Sequence, residues 1–279
     1  MVQKLALCFD FDGTLCPGNM QEYGLLQDLG YKNPKQFDAF WQSRIELSRL
    51  TGADPVHAYL YLICKEAKAK GIRIDAGTLR KYGESISFFP GVTNFIPYIK
   101  QKAAMCGLET DAFVISSGIN DIVLGSQIAR HLKEVYACEL IYGDMPWPTK
   151  TVDGDAKTKI IECLYNGKQD RDPWIESTEK SHCYKHIIYF GDSYGDQACM
   201  SLVRKLRGLS IAVHGGDDTV AKSLRNSGAA EYSVPADYRP GGEISKLVGY
   251  YLQTIGIQSV FKKSRQRYMR PIYNALPAI

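Results

Sequence analysis

Long apolar runs are what this 279-residue chain most conspicuously lacks. None approaches the roughly 20 residues that a membrane-spanning helix requires, so no membrane span is expected. The first apolar run, residues 5–9, stops at Asp10 and is too short for the apolar segment of a secretory signal. Cysteine is present but unpatterned. Eight residues fall at positions 8, 16, 64, 106, 138, 163, 183 and 199, several inside apolar runs. That spacing argues against a disulfide framework and for reduced thiols in a cytoplasmic protein. His182, Cys183 and His186 match no zinc-binding spacing. Internal repeats and low-complexity tracts are also missing. With 45% hydrophobic and 23% charged residues, the composition is that of a soluble globular chain. Its length fits one large domain, or a core with a modest insertion.

Charge of one sign is scarce everywhere except at one end. Lys262, Lys263, Arg265, Arg267 and Arg270 put five positive charges and no acid into the last nineteen residues. Removing those five from the overall +4 leaves −1 on the other 260 residues. Residues 262–279 therefore read as a basic tail, expected to be a solvated end. A nucleic acid, another polyanion or an anionic membrane surface is its secondary expectation.

Five short runs, 5–9, 112–115, 135–138, 187–190 and 209–213, are apolar throughout apart from Ser210. Such runs suit parallel strands buried on both faces. Helical periodicity lies between them over 92–106, 119–132 and 194–206. Alternating strands and helices predict an α/β fold with a doubly wound parallel sheet, whose ligands bind at the carboxyl ends of the strands. About 75 residues separate Leu15 from Phe88-Phe89-Pro90-Gly91, and this stretch reads as helical. Asp54-Pro55 and Lys70-Gly71 bound a helix over 55–70. Phe37, Phe40 and Trp41 share one face of an earlier helix, as packing residues or as a stacking surface. The segment 16–90 is thus a small helical insertion. Its ten Lys+Arg and eight Asp+Glu are too balanced to name an anionic substrate. Residues 166–182 read as a long surface connection, and 144–154 as a turn-rich excursion that includes a hairpin.

Polar signals follow the apolar runs. Asp10-Phe11-Asp12-Gly13-Thr14-Leu15 places two carboxylates two residues apart at a strand end. They would repel one another without a cation or hydrogen bonds, which implies a divalent metal. Gly191-Asp192-Ser193-Tyr194-Gly195-Asp196 brings Asp192 and Asp196 to a loop entering a helix. Hard oxygen ligands from Asp10 and Asp192 would suit Mg²⁺. Ser116-Ser117-Gly118 is a serine cap or an anion site at a helix start. Lys157, before a short helix, is a surface lysine or a point charge for a phosphate oxygen.

Together and in this order, DFDGTL, SSG, AKTKII and GDSYGD resemble the four motifs of the haloacid dehalogenase-like (HAD) hydrolase superfamily. Phe89-Pro90-Gly91-Val92 is similar to that family's return from cap to core. Residues 211–213 and 235–240 resemble its phosphoserine-phosphatase-like branch. The resemblance implies a Rossmann-like core from residues 1–15 and 91–261, and a helical cap domain over 16–90. It implies Asp10 as the nucleophile forming an aspartyl-phosphate, and Asp12 as the acid and base. Ser116, with Ser117 and Gly118, and Lys157 are then the phosphate-binding residues, with Lys159 the fallback for Lys157. Mg²⁺ falls to Asp10, the Asp12 main-chain carbonyl and Asp192, with Asp196 holding its waters or orienting Lys157.

A carboxylate at position 12 suits phosphomonoester hydrolysis. The expected activity is a Mg²⁺-dependent phosphatase acting on a small phosphorylated metabolite. A phosphomutase or phosphotransferase could use the same intermediate. A binding protein that keeps the fold and docks a partner through its tail is the alternative of another class.

Overall fold

The computed structural model describes residues 3–167 and 183–273, the last twelve as backbone only. The connection read over 166–182 lies mostly outside the described residues, as does His182.

The chain starts with β1 (Gln3–Phe9), then passes through α1 (Leu25–Asp28), α2 (Pro34–Thr51), α3 (Pro55–Ala69) and α4 (Ala76–Glu84). Next come α5 (Val92–Met105), β2 (Leu108–Ile119), α6 (Asn120–Gly125), β3 (Glu134–Ile141), β4 (Trp147–Lys150) and α7 (Gly154–Asn166). The rest alternates: β5 (His186–Gly191), α8 (Gln197–Lys205), β6 (Leu209–His214), α9 (Thr219–Asn226), β7 (Tyr232–Pro235) and α10 (Glu243–Tyr273). The strands form one sheet in the order β4-β3-β2-β1-β5-β6-β7. Its pairs are parallel except β3 with β4, the hairpin anticipated near 144–154. This is an α/β, Rossmann-like doubly wound sheet.

β1 lies at the centre because Leu5 to Phe9 are apolar on both faces and wholly buried. Phe9 stacks on Phe190 of β5 with centroids 4.7 Å apart, and Phe95 of α5 meets both edge-on. β2 flanks β1 on one side and β5 on the other. The strand order therefore reverses at β1, which opens a crevice beyond the carboxyl ends of these three strands.

Helices α1 to α4 lie between β1 and α5, within the segment read as an insertion. Its base is closed where Phe89 N–H donates to the Leu15 carbonyl at 2.9 Å. Asn33, Asp54 and Asp75 accept backbone N–H bonds at the starts of α2, α3 and α4. Each such cap is worth about 1 kcal/mol. Pro34 and Pro55 occupy first-turn positions that need no donor.

Three expectations are corrected. The helix read over 119–132 is only α6, followed by a 3₁₀ turn at Ala129–His131. Its apolar period continues, but Gly125 lies against α4, where a Cβ would come within 2.0 Å of the Arg80 carbonyl. Ser126 then turns its hydroxyl back onto the Val123 carbonyl at 2.6 Å. Second, the run at 112–115 is the middle of a longer strand, since β2 continues through Ser116-Ser117-Gly118. Third, β7 is a strand that the apolar runs did not announce. α10 passes through position 262 without a break, and Ile244, Val248, Leu252 and Ile255 bury its first half. No helix among the described residues is long and apolar enough to cross a membrane.

Candidate active site

Alternation along an extended chain puts Asp10 and Asp12 on the side opposite Phe11. Phe11 is wholly buried and meets Phe88 edge-on. β1 ends as Asp10 N–H donates to the Phe190 carbonyl at 2.9 Å. Gly13 then turns the chain at φ +71°, and a Cβ there would lie 2.1 Å from Asp192 Oδ2. Both its backbone conformation and the carboxylate beside it require glycine. Thr14 Oγ1 donates to Asp192 Oδ1 at 2.9 Å, and Met20 N–H donates to Asp12 Oδ1 at 2.7 Å.

Asp192 and Asp196 follow β5 and differ in their surroundings. Asp196 is wholly buried with both oxygens occupied. Oδ1 accepts from Lys157 Nζ at 2.9 Å and Tyr189 OH at 2.8 Å. Oδ2 accepts from Ser193 Oγ at 3.0 Å and from the N–H groups of Asp192 and Ser193. Lys157 also lies 3.0 Å from Asp10 Oδ1, bridging the two acids. Asp153 caps α7 by accepting from Ala156 N–H at 2.7 Å. That phase turns Lys157 inward with Ile160, Ile161 and Leu164, whereas Lys159 is exposed.

Above this floor is a cavity of about 730 Å³. Asp10, Asp12, Ser116, Ser117, Lys157 and Asp192 all line it, so six residues singled out in the sequence converge. Gly118 and Asp196 do not line it. Gly118 stands behind the wall, where a Cβ would meet Met20 Cε at 2.1 Å. Ser116 and Ser117 sit in the irregular end of β2 rather than at a helix start.

Asn19 and Arg44 also line the cavity, and nothing in the sequence marked them. Arg44 reaches in from α2 with its guanidinium 5.6 Å from the Trp41 ring centroid. Its Nε is buried and has no hydrogen-bond partner among the described residues. Trp41 is held by donating to Glu22 at 2.8 Å, and Phe40 is wholly buried, so the aromatic cluster mainly packs the insertion.

One lysine faces four carboxylates here. Burial, reinforced by Asp196, pushes Asp10 up to about 6 against the opposing pull of Lys157. Burial, with Asp10 and Asp196 beside it, lifts Asp192 to about 8. Burial and the Asp10 charge hold Asp12 well above the usual carboxylate range. Burial would raise Asp196 too, but Lys157, Tyr189 and Ser193 hold it below its ordinary value. Burial disfavours the Lys157 ammonium, yet Asp10 and Asp196 keep it charged.

A cation fits this excess of negative charge. Oxygens of Asp10, Asp192 and Asp196 lie within 4.8 Å of one another. Asp196 is already saturated by donors, which leaves Asp10 and Asp192 as the carboxylates with capacity for a metal. A carboxylate raised above its unfolded value near 3.9 loses stability for the fold as pH rises through that interval. The metal-free protein should therefore melt at lower temperature at pH 8 than at pH 5.5. A divalent cation should restore more stability at pH 8, because more negative charge is then exposed to it. Melting curves at both pH values check this, and an equal metal increment at both would contradict it.

No protein-family model matches the chain. An uncharacterized protein of Borreliella burgdorferi is 24% identical over 286 residues, covering 90% of this chain and 96% of that protein. Among solved structures, a HAD-family hydrolase from Salmonella enterica serovar Typhi has a TM-score of 0.58 at 15% identity, covering 89% of this chain and 72% of that one. A phosphoserine phosphatase captured as a phospho-aspartyl intermediate analogue gives 0.55 at 18% identity, over 90% and 99% of the two chains. A substrate-bound phosphoserine phosphatase gives 0.52 at 17%, over 84% and 93%. At these identities the likeness establishes a shared fold.

Proposed function

We propose, for a chain that carries the HAD-like, phosphoserine-phosphatase-like fold, that it is a Mg²⁺-dependent phosphatase hydrolysing a small phosphomonoester through an aspartyl-phosphate. In this reading residues 1–15 and 91–261 are the catalytic core, 16–90 the cap and 262–279 an appended basic segment. The observation that carries it is the pairing of Asp10 and Asp12 at the cavity wall. Asp10 has one oxygen bound by Lys157, and burial keeps Asp12 proton-retaining.

The Asp10 carboxylate attacks phosphorus in line, forming the acyl-phosphate bond as the ester oxygen leaves. Asp12 gives its proton to that oxygen, then takes one from the water that hydrolyses the intermediate. Its bond from Met20 N–H holds it in place for both tasks. Ser116 and Lys157 bind the phosphoryl oxygens, and Asp196 keeps the ammonium on station. Asp10, the Asp12 main-chain carbonyl and Asp192 would hold Mg²⁺, which would supply charge neutralisation for the phosphoryl group. We place the chain in a reducing, cytoplasmic setting because its eight cysteines follow no disulfide spacing.

Turnover of p-nitrophenyl phosphate, with and without Mg²⁺, tests the reading. Metal-dependent release of phosphate is expected. No turnover with any divalent metal would favour a binding protein, and transfer to an acceptor alcohol instead of water would favour a phosphotransferase.

Arg44 supports a narrower substrate class. Its buried Nε, without a hydrogen-bond partner among the described residues, lies on a side chain that lines the cavity and suits a second anionic group on the ester. Arg44→Ala should raise KM about 10- to 100-fold for phosphomonoesters carrying an additional carboxylate or phosphate, the scale of one charge-assisted hydrogen bond. p-Nitrophenyl phosphate, which lacks such a group, should be little affected. Equal losses on both kinds of ester would remove this role.

A further inference from the structure

Tyr59 belongs to α3 in the helical insertion, yet its hydroxyl donates to the Ser117 carbonyl at 2.6 Å, across 58 residues of sequence. Its ring is buried and meets Trp41 edge-on at 5.8 Å. The Cys138 thiol donates to the same carbonyl at 3.3 Å. This carbonyl needs such partners because β2 loses its register with β3 here. Ile115 pairs with Tyr136, and pairing resumes only at Ile119 with Cys138. The peptides between them are not held by the strand ladder.

The other end of that peptide unit is also fixed. Gly118 N–H donates to Ser116 Oγ at 3.0 Å. A peptide is planar, so holding its carbonyl and its N–H sets its orientation. Gly118 has no Cβ to oppose a flip of the plane, which makes these three bonds the main restraint. A serine hydroxyl has one proton and two acceptor sites. With one acceptor site taken by Gly118 N–H, the Ser116 proton is left to donate. It meets no acceptor among the described residues, and Ser116 lines the cavity beside Asp10 and Lys157.

We propose that Tyr59 is a positioning residue. By fixing the 117–118 peptide it turns the Ser116 proton toward the phosphoryl group, so the insertion orients a phosphate-binding residue of the core without touching substrate. This rests on the phosphatase reading.

A double-mutant cycle tests it on the full chain with Mg²⁺ and p-nitrophenyl phosphate. Tyr59→Phe should lower kcat/KM about 3- to 10-fold, the scale of one ordinary hydrogen bond, with little change in melting temperature. Ser116→Ala should lose more. Adding Tyr59→Phe to Ser116→Ala should then cost nothing further. Additive losses, or a folded Tyr59→Phe protein with wild-type kinetics, would overturn the proposal. If Tyr59→Phe does not fold, Cys138→Ala removes the second donor and gives the same cycle. If the wild type binds inorganic phosphate without turnover, the phosphatase reading fails by itself and the cycle is read on phosphate affinity. A wild type that does neither overturns both.

Discussion

Asp10→Asn should eliminate the proposed phosphatase activity and leave the fold at least as stable as before. The amide keeps the shape of the carboxylate but offers a poor nucleophile, and the loss should be roughly 10⁴–10⁶-fold, the scale of deleting a covalent nucleophile. Stability should move the other way. Burial and the neighbouring Asp196 already push Asp10 up to about 6, so its charge is unfavourable in the metal-free fold. Removing it relieves repulsion, while the Asp196–Lys157 pair at 2.9 Å remains. Activity assays and melting curves on one preparation read both effects. A variant that keeps even a hundredth of wild-type turnover would exclude Asp10 as the nucleophile.

Asp12→Asn has the second-largest effect, and its signature differs. An activated aryl ester needs little protonation of its leaving group, so the first step should survive. Hydrolysis of the intermediate should slow about 10²–10⁴-fold, because water loses its general base. Rapid mixing should therefore show a burst of nitrophenol near one equivalent per active site, followed by slow turnover. The side-chain amide oxygen of this variant can still accept from Met20 N–H, so the loop that holds it should remain in place. A burst that is absent, with both steps equally slowed, would assign Asp12 a purely structural part.

How far these residues could be read in the sequence depended on whether their meaning was local. Asp10, Asp12 and Asp192 follow directly on buried strands, so an apolar run ending in acid already placed them at one crevice. Lys157 and Lys159 differ through the phase of α7, which Asp153 sets and which Ile160 and Ile161 make visible. Ser116 was visible as a residue type but not in its setting, because a strand that loses register still continues through a serine pair and a glycine.

Arg44 and Tyr59 were opaque for another reason. One resembles any arginine on an amphipathic helix and the other any core aromatic. Their meaning comes from which faces of α2 and α3 lie against the core, a contact made across many tens of residues. The helix read over 119–132 failed similarly. Its apolar period was genuine, but the backbone of α4 at Arg80 meets it at Gly125.

The central claim is that phosphate passes through Asp10, and trapping it is the most direct test. Asp12→Asn protein, mixed with an aryl phosphate and Mg²⁺ and quenched in acid, should carry about one phosphate per chain. That phosphate should be released by hydroxylamine, as an acyl-phosphate is, and peptide mapping should place the resulting hydroxamate on Asp10. A phosphate that resists hydroxylamine, or that maps to a serine or a histidine, would contradict the mechanism.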